Sequence, residues 1–264
     1  MIKKCIFCGK SREDDEDIKF SNEHVFPQWL QKELNIEKEL ISPTRFCLKK
    51  KKIKSKKREH YLKDLKCKAV CEKCNNGWMS LLETEVKPLL KILIKNKKDI
   101  SSLTLKEREV IARWFIKTAS MLNYSSDIDN FLEINKKDLL FLKNKIPNNN
   151  YFVLGTQHNP TKKFYWIQGQ TALIWDEKDF NIEDYNKNYK IVMQFGSLIL
   201  LFAYLDKENS NYFPVLVGGV HNLFWPQSSK KCCFKEDKDS FPFNNSELAN
   251  ISFWCMFDFC KPHK

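Results

Sequence analysis

Glycine and proline are scarce in this 264-residue chain, at 7 and 9 residues. Low-complexity and collagen-like chains need far more of both, so those classes are excluded. Long apolar runs are also missing. The longest, Phe195 to Leu205, is interrupted by Gly196 and Ser197 and is too short to span a bilayer. Met1-Ile2-Lys3-Lys4 runs straight into the first cysteine pair, without the apolar segment of a secretory signal. No Gly-rich phosphate loop, nucleophile elbow, dinucleotide fingerprint or internal repeat is present. The expectation is a cytoplasmic protein, long enough for a sizeable core.

Positive charge and cysteine are what the chain has in quantity. Lys and Arg number 45 against 33 Asp and Glu, a net charge of +12 that favours a polyanionic partner. The charge is densest from Arg45 to Lys73, with 13 basic and 3 acidic residues. Lys49, Lys50, Lys51, Lys52, Lys54, Lys56, Lys57 and Arg58 are nearly continuous there. A basic insertion of this kind can grip phosphates without regard to base sequence. Taken alone, it reads equally well as a solvated loop that touches nothing.

Ten cysteines would suggest disulfides outside a cell. In a reducing compartment, paired cysteines suggest a metal instead. Cys5-x-x-Cys8 and Cys71-x-x-Cys74 supply four thiolates, the ligand count of a closed tetrahedral zinc site. Cys47 and Cys67 stand alone and read as ordinary thiols. Cys232, Cys233, Cys255 and Cys260, with His263, form an irregular second set. The adjacent pair is poor knuckle geometry, and plain thiols are the simpler reading.

Between the two pairs lies Asn22-Glu23-His24-Val25-Phe26-Pro27, and Asn75-Asn76-Gly77-Trp78 follows the last cysteine. A neutral imidazole can take a proton from water near pH 7, which makes His24 a candidate general base; its plainer role is packing. The Glu23 carboxylate and the Asn75 amide offer the oxygen donors that a hard cation such as magnesium prefers. Asn75 fits a helix N-cap equally well, and Asn76 could be the metal-facing amide instead. Glu83, two turns on, reads as a structural or surface charge before it reads as an acid supporting the site. Trp78 reads as core rather than as a base-stacking platform.

Cys5, Cys8, Glu23, His24, Cys71, Cys74 and Asn75 together resemble the HNH endonucleases of the ββα-metal family, in their zinc-knuckle branch. The resemblance covers about the first 85 residues, roughly a third of the chain, a fitting share for one module. It implies an acid-His dipeptide ending the first strand of a hairpin, with the Asn opening the helix that follows. It implies hydrolysis of phosphodiester bonds, DNA favoured over RNA. His24 would be the base and one structural zinc would sit on the four cysteines. A catalytic Mg2+ or Mn2+ would sit on Glu23 and Asn75. The family more often has Asp at the position of Glu23. The third position of its name is occupied here by Trp78 or Met79, which implies fewer protein ligands or an ion held partly by substrate.

Trp78-Met79-Ser80-Leu81-Leu82-Glu83 is also similar to a subgroup of uncharacterised bacterial HNH-type proteins. That likeness extends weakly through Arg113-Trp114, Lys117-Thr118-Ala119 and Phe224-Trp225-Pro226. By analogy, an HNH module joined to an unassigned region suits phage-defence or mobile-element nucleases. Two alternatives stand beside it. One is a zinc-knuckle nucleic-acid-binding module without cleavage. The other is an interaction protein that binds a partner or small ligand through residues 99–264.

Periodicity supplies the expected fold, α+β in two parts. Residues 1–98 form the HNH-like module, with short strands at Ile2 to Phe7 and Ile18 to Phe20 and a turn over Glu13 to Asp17. A helix is expected from Gln31 to Leu40, and another after Cys74 on the spacing of Trp78, Leu81, Leu82, Glu85 and Val86, extended by Leu89, Leu90 and Leu93. Pro88 should kink that helix or start a new one. Residues 99–264 begin with helices over 104–145. Thr104-x-x-Glu107 is a capping box opening a stripe from Val110 to Leu122, and a further helix fits Lys136 to Lys145. A mainly antiparallel sheet follows over 151–220. Its strands are Tyr151 to Gly155, Phe164 to Gln168, Thr171 to Trp175, Lys190 to Phe195, Leu198 to Leu205 and Tyr212 to Val217, with Gly169, Gly196 and Gly218-Gly219 as turn or bulge positions.

Overall fold

The capping box at Thr104 forms as its residues dictate. The Glu107 amide donates to the Thr104 hydroxyl at 3.2 Å, and the Thr104 amide donates to the Glu107 carboxylate at 2.7 Å. The helix it opens is the longest among the described residues and runs from Leu105 to Tyr124. Its second half is buried on all sides, from Ile116 to Asn123, because it lies between another helix and a sheet.

The computed structural model describes residues 3–41, 44–49, 52–57, 59–125, 139–140, 142–144, 151–157, 163–170, 189–204, 213–215, 222–225 and 258–260. In chain order the helices are α1 (Gln28–Leu34), α2 (Glu72–Cys74), α3 (Ser80–Ile94) and α4 (Leu105–Tyr124). The strands of the first half are β1 (Glu23–His24), β2 (Leu40–Ile41), β3 (Thr44–Lys49), β4 (Lys52–Lys57), β5 (His60–Tyr61) and β6 (Lys66–Cys67). Those of the second are β7 (Tyr151–Gln157), β8 (Phe164–Gln170), β9 (Tyr189–Phe195), β10 (Leu198–Tyr204), β11 (Phe213–Val215), β12 (Asn222–Trp225) and β13 (Asp258–Cys260). The class is α+β.

Seven strands form one sheet in the order β12-β7-β10-β9-β8-β3-β4. Every pairing in it is antiparallel except β3 with β8. In its interior β10 is buried on both faces, which is why Leu198 to Tyr204 reads as an apolar run without alternation. One face carries Phe164, Trp166, Phe195 and Phe202 toward the helices. Phe26, from the segment after β1, meets three of these rings at 5.0, 5.7 and 6.3 Å. Buried apolar side chains from Cys5 to Phe224 thus form a continuous cluster.

Glycine is required at the β9–β10 turn. Gly196 has a φ of 56°, in the left-handed region, and a Cβ there would lie 2.6 Å from the carbonyl oxygen of Ile94. The Ser197 amide donates to that carbonyl at 3.0 Å, so the turn satisfies an orphan acceptor at the end of α3.

Several expected elements differ. Residues around the first cysteines form turns, and Phe20 makes only an isolated bridge to Cys71, because the knuckle bends the chain too sharply for a ladder. Helix α1 starts after Pro27 and ends where Asn35 turns left-handed at φ 53°, so it stops short of Leu40. Pro88 sits inside an unbroken α3; Pro88 and Thr84, whose carbonyl loses its helical partner, are both exposed to solvent. The basic insertion is a β-hairpin, β3–β4. Thr171 to Trp175 lies outside the described residues, as does half of Lys136 to Lys145; the described part of that stretch is turn apart from Leu139. Among the described residues no helix is long and apolar enough to cross a membrane.

Candidate metal centre and the Glu23–Asn75 pair

Two short turns aim the four thiols at one point. In the first, the Gly9 amide donates to the Cys5 carbonyl at 2.8 Å and the Cys5 amide to Lys10 at 2.9 Å, with Gly9 left-handed at φ 73°. In the second, Cys71 is the extended residue before α2, and the amides of Cys74 and Asn75 both donate to its carbonyl, at 3.1 and 3.0 Å. Backbone bonds from Ile6 to Ala69 and from Ser21 to Val70 hold the two turns together.

The four sulfur atoms lie within 4.8 Å of one another. Cys8 and Cys71 sulfurs are 3.7 Å apart. A tetrahedral ion with bonds near 2.3 Å sets its ligand sulfurs about 3.8 Å apart, so the cluster can hold one zinc ion with little movement. Cys5, Cys71 and Cys74 are buried and all four thiols are reduced. The electrostatics agree with a cation site. A hydrogen bond from the Cys74 thiol lowers Cys5 to about 5, and the Cys71 amide also points at the Cys5 sulfur, at 3.4 Å. The same bond to Cys5 pushes Cys74 upward, and burial raises Cys8 to about 11. These three thiols compete for the right to carry charge, a competition that a dication ends.

Glu23 and Asn75 meet directly. The Asn75 amide nitrogen donates to Oε2 of Glu23 at 2.8 Å. Asn75 is not a helix N-cap: its backbone is helical, at φ −63° and ψ −54°, and the N-cap position belongs to Cys71. A carboxylate only accepts, so the amide turns its nitrogen inward and leaves Asn75 Oδ1 and Glu23 Oε1 for other partners. Both residues are half-buried. This oxygen pair suits a hard cation such as magnesium or manganese, and not a soft one.

His24 is the next residue of β1, whose pairing with β6 sets Glu23 opposite Cys67 and His24 opposite Lys66. Successive strand residues face opposite ways. His24 is half-buried, and no hydrogen bond joins it to the Glu23–Asn75 pair among the described residues. Asn76 is exposed. The helix breaks just beyond, at Gly77 with ψ −113°, and Trp78 turns inward to pack edge-on against Phe7 at 5.3 Å.

Glu83 lies elsewhere and has its own partners. Its carboxylate accepts from the indole nitrogens of Trp29 and Trp114, at 3.0 and 2.7 Å, and from Lys117 at 2.5 Å. The spacing of Trp114 and Lys117, three apart on one helix face, is the only local sign of this hub.

Lys49, Lys52, Lys54, Lys56 and Lys57 fall in the β3–β4 hairpin, while Lys50, Lys51 and Arg58 lie outside the described residues. So do Cys232, Cys233, Cys255 and His263; Cys260 falls in β13. Comparison with protein-family models, with curated proteins and with solved structures gives no match to this chain.

Proposed function

We propose that the chain is a metal-dependent phosphodiesterase that cuts nucleic acid internally, DNA in preference to RNA. The observation that carries the reading is the Asn75–Glu23 hydrogen bond, which sets two free oxygens beside a four-cysteine cluster. The cysteines hold a structural zinc and keep the start of α2 against β1. Glu23 and Asn75 bind a divalent ion. When bound, that ion neutralises charge on the phosphate and on the leaving oxygen. His24 accepts a proton from water; the water oxygen bonds to phosphorus as the bond to the leaving oxygen breaks. Lysines of the β3–β4 hairpin bind phosphates.

The test is nicking of supercoiled plasmid by the purified chain with Mg2+ or Mn2+. Metal-dependent nicking that is lost in His24→Ala is expected. Inactivity of the wild type on plasmid, single-stranded DNA and RNA with either metal removes the proposal. One observation favours a second reading, a nucleic-acid-binding module without cleavage: among the described residues no hydrogen bond ties His24 to the Glu23–Asn75 pair. Binding without cutting would identify that case.

A further inference from the structure

The register of the basic hairpin sorts its charges by face. In the β3–β4 ladder Arg45 pairs with Lys56, Cys47 with Lys54 and Lys49 with Lys52. Paired positions share a face, and successive positions alternate between faces. One face therefore carries Arg45, Lys49, Lys52, Lys54 and Lys56 around Cys47. The opposite face carries Phe46, Leu48, Ile53 and Ser55, with Thr44 paired to Lys57. A solvated run of lysines has no reason to segregate in this way.

The parallel pairing with β8 fixes the direction of the basic face. Arg45 pairs with Gln168, and Gln168 shares its face of β8 with Trp166 and Phe164. Phe26 packs on those two rings. Phe26 comes two residues after His24, so the basic positions and the Glu23–His24 strand belong to one side of the sheet. Strand β3 pairs with β8 only over Thr44 to Phe46, whereas it pairs with β4 from Thr44 to Lys49. The part beyond Phe46 continues as a two-stranded ribbon at the sheet edge.

We propose that β3–β4 is a ribbon that binds double-stranded DNA through this one face and presents the duplex to Glu23, His24 and Asn75. The presentation rests on the nuclease reading above; the binding does not. Charge complementarity selects a polyanion, and shape selects B-form duplex. Its major groove, about 12 Å wide, admits a two-stranded ribbon, whereas the deep, narrow major groove of A-form RNA does not. Lys52 and Lys56, four steps apart in an extended strand, span roughly 13 Å, which matches that groove.

The experiment is a fluorescence-anisotropy salt titration without added Mg2+ or Mn2+, on a short DNA duplex, its separated strands and an RNA duplex of the same sequence. The wild type is expected to bind the DNA duplex most tightly. Lys54→Ser should lower the slope of log affinity against log salt by about one, the worth of one phosphate contact. Lys57→Ser removes the same charge from the other face and should leave the slope unchanged. The triple variant K52S/K54S/K56S should lose about three of slope and at least about tenfold in affinity, with wild-type circular dichroism and zinc content. Equal effects of Lys54→Ser and Lys57→Ser would overturn the face assignment. No effect of either would leave the lysines as guards of an exposed sheet edge and end the proposal. Preference for the RNA duplex or for single strands would also end it. Plasmid nicking separates the two ideas. A triple variant that nicks like the wild type removes the ribbon and keeps the nuclease. A wild type that follows the face rule but never cuts keeps the ribbon and removes the nuclease.

Discussion

Lys117 places its ammonium 2.5 Å from Oε1 of Glu83, and the lysine side chain is only 3% exposed. The same carboxylate takes the indole nitrogens of Trp29 and Trp114. One acid on α3 thereby ties α1, α3 and α4 together. Removing one partner of a buried pair strands the other, which costs more than the pair contributes. Glu83→Ala should therefore destabilise the fold by about 3–5 kcal/mol. The double variant Glu83→Gln with Lys117→Met removes the charges from both sides and should recover much of that loss. Urea unfolding of the three proteins measures it. A midpoint in Glu83→Ala equal to wild type would show that Lys117 finds another partner.

A second carboxylate has a pH signature. Glu33 on α1 accepts from Lys91 at 2.8 Å and from Lys95, both on or just past α3. These hydrogen bonds, that of Lys91 first, hold its carboxyl below the usual glutamate range. A folded-state value below the unfolded one means that the stabilisation is complete above the unfolded value of about 4.3. It fades as pH falls through the folded value. Both lysines are well solvated, so the contribution is at most about 1 kcal/mol. Glu33→Gln should be slightly less stable than wild type at neutral pH and should converge with it in acid. A gap that stays constant down to low pH would assign the loss to packing rather than to charge.

The elements read directly from sequence are those whose signals are local. The Thr104 and Glu107 capping box needs four residues, the α4 stripe needs one helix, and each cysteine pair needs one turn. That both pairs converge followed from chemistry, since two half-sites of a tetrahedral ion have a reason to meet. The β3–β4 hairpin was hidden because lysine is depleted in strands and because its outer partner, β8, lies far along the chain. Its period-two alternation, Lys52-Ile53-Lys54-Ser55-Lys56, was visible but was masked by the run of charge. Glu83 was hidden for a similar reason: its meaning depends on Trp29 and Trp114, from two other helices. Asn75 as cap or as partner of Glu23 was undecidable from spacing alone. The answer depends on where the helical backbone begins, and it begins after Cys71.

Zinc gives the next prediction. One ion should be found per chain by elemental analysis, and Cys71→Ser should abolish it. Because metal binding is coupled to folding, the same variant should lose the order of the N-terminal region, read as faster amide exchange around Ile6, Val70 and Cys74. A strong chelator should do the same to wild type. Folded, purified wild-type protein with no metal would remove the zinc assignment.

The last prediction concerns the division of labour at β1. Glu23→Ala and Asn75→Ala each remove one member of the oxygen pair, so each should lower phosphodiester cleavage. Raising Mg2+ or Mn2+ should restore part of the rate, because mass action refills a weakened ion site. His24→Ala should lower the rate by about two to four powers of ten, the usual worth of a positioned base. Added metal should not restore it, because a divalent ion cannot replace a missing proton acceptor. None of the three changes touches a zinc thiolate, so zinc content and thermal melting should stay near wild type. Metal titrations of the three variants, on plasmid and on single-stranded DNA, read the whole pattern. Full activity in folded, zinc-loaded His24→Ala would move the base elsewhere. Metal rescue of His24→Ala, alongside unrescued Glu23→Ala, would exchange the proposed roles of the two residues.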